Sequence, residues 1–232
     1  MEEESRRLRE ETDYAIVADF GGNLIELGQW LMGYSRFMLN LAANRKLAEY
    51  LLDLLVENHL ENLEIYMDAI GDNTDIIRFG DDFGMQDRLQ ISPSLYREMF
   101  KPRQKKMWNF VREKSDYKIF LHSCGSTYDI LPDLVEIGLD IINPVQISAK
   151  DMEPERLKGE FGDDLVFWGG GCDTQQVLSR GTLEDIEEEV KKNISIFAPG
   201  GGFVFTPVHN IQADIPPEKI VKLYESARRY GG

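Results

Sequence analysis

The chain has 232 residues, of which 26 are basic and 41 acidic, giving a formal net charge of −15 with 42% hydrophobic content. This length can bury one sizeable core, and a single domain spanning 1–232 is the first expectation. The acidic balance argues against nucleic acid or an anionic membrane as a partner, and the polar, acidic start without any long apolar run points to a cytoplasmic protein.

In chain order, a charged helix over Glu2 to Glu11 comes first, and then six short β-branched or aromatic runs. These are Tyr14 to Val17, Asp75 to Phe79, Tyr117 to Leu121, Asp140 to Asn143, Leu165 to Trp168 and Phe203 to Thr206. Most are continuously apolar, the pattern of parallel strands covered on both faces. Helical segments separate them. Leu47, Leu51, Leu54, Leu55, Leu63, Tyr66, Met67 and Ile70 form an apolar stripe ending at Gly71. Ser92-Pro93 opens a helix reaching Lys114, Thr182 with Asp185 opens another, and a last one starts near Pro216 and Pro217. Repeated βα units fit either a doubly wound sheet or a barrel. Polar residues and glycines follow every strand, which favours the α/β, TIM-type (β/α) barrel, incomplete, with about six of its eight βα units present.

Four of the five histidines and cysteines sit just after a strand: His122, Cys124, Cys172 and His209. The fifth, His59, falls inside the long helix, where a structural role is expected. In a cytoplasmic setting the two cysteines are expected as thiols rather than as a disulfide. The spacing in His122-Ser123-Cys124 puts both side chains on one side of an extended segment, within reach of one cation. A catalytic zinc takes three protein ligands and keeps an open position, and His122, Cys124 and Cys172 are the expected set. The bland alternative packs each cysteine beneath a tight glycine turn. Asp81 and Asp82, adjacent on extended chain, point to opposite sides. One is expected to face the site as acid, base or ligand support, and the alternative is an N-cap for the segment that follows. His209 is the expected proton donor or fourth ligand, while the strand-end residues Gln86, Asn143, Gln146 and Asp173 are expected to bind substrate. Gly169 to Gly171 and Gly200 to Gly202 match no phosphate-binding motif and read as turns allowing close ligand approach.

Several stretches together resemble the uroporphyrinogen decarboxylase superfamily. They are Leu121-His122-Ser123-Cys124-Gly125, Leu131-Pro132-Asp133-Leu134, Gly138-Leu139-Asp140-Ile141-Ile142-Asn143-Pro144-Val145-Gln146 and Pro207-Val208-His209-Asn210-Ile211. Ser92-Pro93, Tyr96-Arg97-Glu98 and Lys101-Pro102 fit as well. The resemblance implies a (β/α)8 barrel lacking its usual N-terminal portion, since the family's first strand would precede Tyr14. It implies one of two chemistries. Decarboxylases of porphyrin biosynthesis act without a cofactor, through an arginine-rich N-terminal segment and a first-strand Asp that are not visible here. Zinc-dependent methyltransferases move a methyl group between a corrinoid and a thiol or another acceptor, with a His-x-Cys pattern followed by a later Cys. In coenzyme M enzymes that later Cys corresponds to about Gly201, where this sequence has none, and Cys172 stands one βα unit earlier.

The expectation is therefore a corrinoid-linked methyltransferase with zinc on His122, Cys124 and Cys172. Its partners would be a small-molecule methyl donor or acceptor and a corrinoid protein, and a homodimer is one assembly open to it. The alternatives are a uroporphyrinogen decarboxylase, a lyase acting on a tetrapyrrole, and an inactive scaffold derived from the barrel.

Overall fold

A computed structural model describes residues 2–232, which form two compact units. The first comprises residues 2–82, 91–122 and 130–139; the second comprises 83–90, 123–129 and 140–232.

The first unit contains α1 (Glu2–Glu11), β1 (Val17–Gly21), α2 (Ile25–Met32), α3 (Tyr34–Ala43), α4 (Arg45–Ile70) and β2 (Ile76–Gly80). It continues with α5 (Pro93–Leu95), α6 (Lys101–Lys114), β3 (Lys118–His122) and α7 (Leu131–Glu136). Its strands pair in parallel, β1 with β2 and β2 with β3, and the register ends with Gly80 beside His122. Ile76, Ile77 and Phe79 on β2 and Ile119, Phe120 and Leu121 on β3 are buried, as continuous apolar runs require. The ring of Phe79 packs on Phe20 and Trp108.

Three local details depart from the sequence pattern. The first strand lies at Val17–Gly21, not Tyr14 to Val17; Tyr14 is 81% exposed. Pairing of Val17 with Ile76 sets the register, and it overrides the higher β-propensity of the preceding residues. The buried face of α4 is Ala48, Leu52, Leu55, Val56, His59, Leu63, Met67 and Ile70. Leu47 and Leu54 point outward, because weighting the stripe by leucine rotates it away from the face that small Ala48 opens. The helix opened by Ser92 widens into a π-turn over Tyr96–Phe100 before α6 begins. Pro102 offers no N–H to the carbonyl four residues before it, so the ladder must skip there.

The second unit contains β4 (Ile141–Asn143), α8 (Pro154–Phe161), β5 (Val166–Trp168), α9 (Val177–Arg180), α10 (Leu183–Phe197), β6 (Phe203–Val204) and α11 (Pro217–Tyr230). Strands β4 and β5, and β5 and β6, pair in parallel. The Thr182 hydroxyl accepts from the Asp185 N–H and the Asp185 carboxylate accepts from the Thr182 N–H, the capping box that starts α10. Ile186, Val190 and Ile194 of that helix join Leu178, Leu223 and Cys172 in one buried cluster.

Across the chain the strand order is β1-β2-β3-β4-β5-β6, so every strand neighbours its successor and β1 and β6 are edges. The architecture is thus the expected α/β type with six parallel strands, in a sheet that is open rather than closed. No helix among the described residues is long and apolar enough to cross a membrane.

Candidate metal centre

Strand β3 ends at His122, and the next four residues form a turn that is fixed at every step. The Ser123 N–H donates to the Asn143 carbonyl at 2.7 Å, continuing the chain alongside β4. The Ser123 hydroxyl accepts from the Phe83 N–H at 3.1 Å. The Gly125 N–H donates to Gln146 Oε1 at 2.9 Å, and the Ser126 N–H donates to the Met85 carbonyl at 2.7 Å. Gly125 has φ +82°, and a Cβ there would stand 2.5 Å from the Gly84 carbonyl carbon. Two glycine backbones therefore touch where no side chain fits. Cys124, half-buried, sits in the middle of this pinned segment.

Gln146 is itself held. Its Nε2 donates to Gln86 Oε1 at 2.9 Å, and Gln86 Nε2 donates to the Ser148 carbonyl at 2.6 Å. The preceding residue, buried Val145, adopts φ +56°, which a β-branched side chain tolerates only when its surroundings impose it. The two glutamines expected to bind substrate thus use their amides to hold the Cys124 turn. Asn143 Nδ2 donates to the Trp168 carbonyl at 2.8 Å, which ties the ends of β4 and β5 together.

Beyond β6, the Val208 N–H donates to the Cys172 carbonyl at 2.9 Å, carrying the pairing four residues past the strand's end. Val208 is buried and the next side chain, His209, emerges exposed. A ring nitrogen of His209 lies within 4.8 Å of Cys124 Sγ. A ring nitrogen of His122, two residues before Cys124, lies within the same distance of that sulfur. His122, Cys124 and His209 thus offer two imidazoles and one thiol to a common point.

Cys172 stands elsewhere. It is fully buried in the apolar cluster with Leu178, Ile186 and Val190, and its sulfur faces the Asp173 carbonyl. Burial, reinforced by Glu189, pushes its thiol well up, so that it carries its proton at neutral pH, the wrong form for a ligand. Among the described residues it belongs to no group able to hold a metal. Of the three ligands expected from sequence, His122 and Cys124 come together, Cys172 does not join them, and His209 does. The physical reason is orientation: the β5 turn directs Cys172 into the core, whereas the β6 turn directs His209 outward. Gly201, the position the resemblance indicates for the later ligand, lies in the exposed turn before β6, at the other end of that strand.

Asp173 is buried; its Oδ1 accepts from the Gln175 N–H at 2.9 Å and its N–H donates to Glu189 Oε2 at 2.7 Å. These bonds shape the turn into α9. Gly169 and Gly171 beside it serve packing, since a Cβ on Gly169 would meet the Pro144 carbonyl oxygen at 1.9 Å and one on Gly171 would meet the Phe205 ring at 2.4 Å. The close approach is made by the chain itself, not by a ligand.

Asp81 is 1% exposed, and its carboxylate receives the backbone N–H groups of Leu24, Ile25 and Glu26 at 2.9–3.2 Å. This caps the start of α2, an element far earlier in the chain than the following segment that the N-cap alternative named. Burial pushes its carboxyl up to about 8 against the pull of those three donors. A raised acid contributes its stability fully below the unfolded value and loses it as pH rises through the folded one. The stability of the native protein minus that of Asp81→Asn is accordingly expected to fall between pH 4 and pH 8, measured by urea unfolding at fixed salt. A difference that is flat across that range contradicts the assignment. Asp82 remains half-exposed, with its N–H donating to Glu26 Oε2. His59, within α4, is buried and places Nε2 3.0 Å from the Asn23 carbonyl, a structural contact next to the loop that Asp81 caps.

Sequence reasoning missed Gly84, whose bare backbone allows the Cys124 turn, and the holding role of Gln146. His209 was legible as a strand-end residue, named above as a proton donor or fourth ligand: it follows the last strand in Pro207-Val208-His209-Asn210.

Comparison with known proteins bears on the family and the fold. The family model for uroporphyrinogen decarboxylase (URO-D) matches residues 6–230. A solved structure described as a methyltransferase from Methanosarcina mazei superposes with a TM-score of 0.74 at 22% identity, a likeness of fold. It covers 98% of this chain, whereas this chain spans 63% of the length of that one. No curated protein matches the sequence.

Proposed function

The chain belongs to the uroporphyrinogen decarboxylase family, and from that premise we propose that it is a zinc-dependent methyltransferase working with a corrinoid. The observation that carries the reading is the meeting of Cys124 with His209 and His122. A decarboxylase acting without a cofactor gives a thiol flanked by two imidazoles no task. A structure of the same fold described as a methyltransferase supports the choice of branch.

The residues fit the ion. Zinc takes imidazole and thiolate donors, and three ligands leave a fourth position for substrate. Donor atoms around a tetrahedral zinc lie roughly 3.3–3.6 Å apart, so these side chains need to close by about 1 Å from separations of up to 4.8 Å. When bound, zinc lowers the pKa of a thiol acceptor, or acts as a Lewis acid on the heteroatom that gives up a methyl group.

The protein's own contribution is position and charge. Cys124 supplies a single thiolate, so the loaded site keeps a net positive charge toward the fourth position. Gln146, through Gly125, stops the cysteine turn from drifting, the kind of support on which metal affinity depends. His209, exposed, would be the ligand on the side from which a corrinoid-carrying partner could be received.

The test is methyl transfer from free methylcobalamin to a panel of thiols, followed by the cobalamin absorbance. Zinc-loaded native protein is expected to turn over and His209→Ala to lose at least about a hundredfold in rate. Equal rates with and without zinc overturn the reading. Formation of coproporphyrinogen from uroporphyrinogen by the zinc-free chain would establish the decarboxylase in its place.

A further inference from the structure

The second unit carries a cleft of about 630 Å3 that opens beside His209. Two segments line it: residues 174–180, which follow β5 and include α9, and residues 209–215, which follow β6. Its lining is mainly polar, with the amides of Gln175, Gln176, Asn210 and Gln212, and with one side chain of each charge, Arg180 and Asp214. Arg180 donates only to Gln176 Oε1 at 3.3 Å, and neither it nor Asp214 forms an ion pair among the described residues.

Two opposite charges lining one cleft without neutralising each other form a dipolar site. A simple anion drawn to Arg180 is repelled by Asp214, and a simple cation meets the reverse. A molecule carrying both charges satisfies both, with the amides available to its remaining polar atoms. A tetrapyrrole is a poor match, because a macrocycle needs broad apolar walls, and Ile211 and Ile215 are the apolar side chains lining this cleft.

We infer that this cleft binds a small zwitterion of the amino-acid type, its carboxylate on Arg180 and its cationic end toward Asp214, beside His209. The inference rests on the methyl-transfer reading in taking that zwitterion as the enzyme's small-molecule substrate class; the binding itself requires no metal.

Calorimetric titration of the full chain tests it. The probes are glycine, β-alanine, γ-aminobutyrate and the N-trimethyl derivative of each, with acetate and tetramethylammonium as the two half-molecules. At least one zwitterion is expected to bind about tenfold or more tightly than either half. Arg180→Gln and Asp214→Asn are each expected to weaken that zwitterion about tenfold, and Asp214→Asn should leave acetate no weaker. Acetate binding as tightly as the best zwitterion, no effect of Asp214→Asn, or no binding across the panel overturns the inference. Running the titrations on chelator-treated protein, with zinc uptake measured separately, keeps the two readings apart. Zwitterion binding without zinc uptake defeats the metal centre alone, and zinc uptake without zwitterion binding defeats the cleft alone.

Discussion

Cys124→Ser is expected to strip the protein of zinc. Native protein purified under zinc-replete conditions should hold about one equivalent and the variant less than about a tenth, since a serine hydroxyl does not supply the thiolate that anchors the ion. The stability of the metal-free protein is expected to change by no more than about 1 kcal/mol, because serine is nearly isosteric with cysteine and the residue is only half-buried. Cys172→Ala is expected to behave in the opposite way. Zinc content stays at about one equivalent, and unfolding becomes easier by about 1–2 kcal/mol as a small cavity opens under Leu178 and Ile186. Atomic absorption and urea unfolding on the two variants decide between the cysteines. Loss of zinc from Cys172→Ala would restore the set read from sequence.

Gly125→Ala is expected to damage both stability and metal binding. The residue sits at φ +82°, where an L side chain costs about 1–2 kcal/mol. The added Cβ would also stand 2.5 Å from the Gly84 carbonyl carbon and 2.6 Å from the Met85 carbonyl oxygen. Backbone cannot swing aside as a flexible side chain can, so the 83–90 loop must lift, breaking the bond from the Ser126 N–H to the Met85 carbonyl. A combined loss of about 2–4 kcal/mol is expected, together with a fall in zinc affinity of about 10–100-fold as Cys124 loses its support. Gly201→Ala is the control. Its φ of +83° is nearly the same, but a Cβ there meets nothing within 4 Å. It should cost only the backbone term of about 1–2 kcal/mol and leave zinc in place. Equal effects of the two substitutions on zinc would show that the contact between Gly84 and Gly125 does not hold the site.

The reading of strands from sequence worked where burial dominates. Ile76, Ile77 and Phe79 and the whole of Ile119 to Leu121 are buried, and such runs announce parallel strands directly. It slipped at β1, where the strand contains Ala18 and Asp19 and pairing with β2 decides the register. It also slipped on α4, where the packed face follows Ala48 and His59 as much as the leucines. Both are matters of register and rotation, which depend on partners distant in sequence.

The candidate site was half legible for a related reason. His122 and Cys124 share a face because of their spacing alone. The third member required knowing which way two strand-end turns point. Nothing local in Gly171-Cys172-Asp173 says that the thiol enters the core, and nothing local in Val208-His209 says that the imidazole leaves it. Asp81 illustrates the same limit. As a strand-end acid it could be chemical or structural, and the three N–H groups that its carboxylate accepts from come from 55–57 residues earlier in the chain.

X-ray absorption at the zinc edge on the purified full chain reads the identity of the donors themselves. The account predicts a first shell of one sulfur at about 2.3 Å and two imidazole nitrogens at about 2.0–2.1 Å, completed by one lighter exchangeable oxygen. A shell with two sulfurs, or a protein that takes up no zinc under replete conditions, would contradict it.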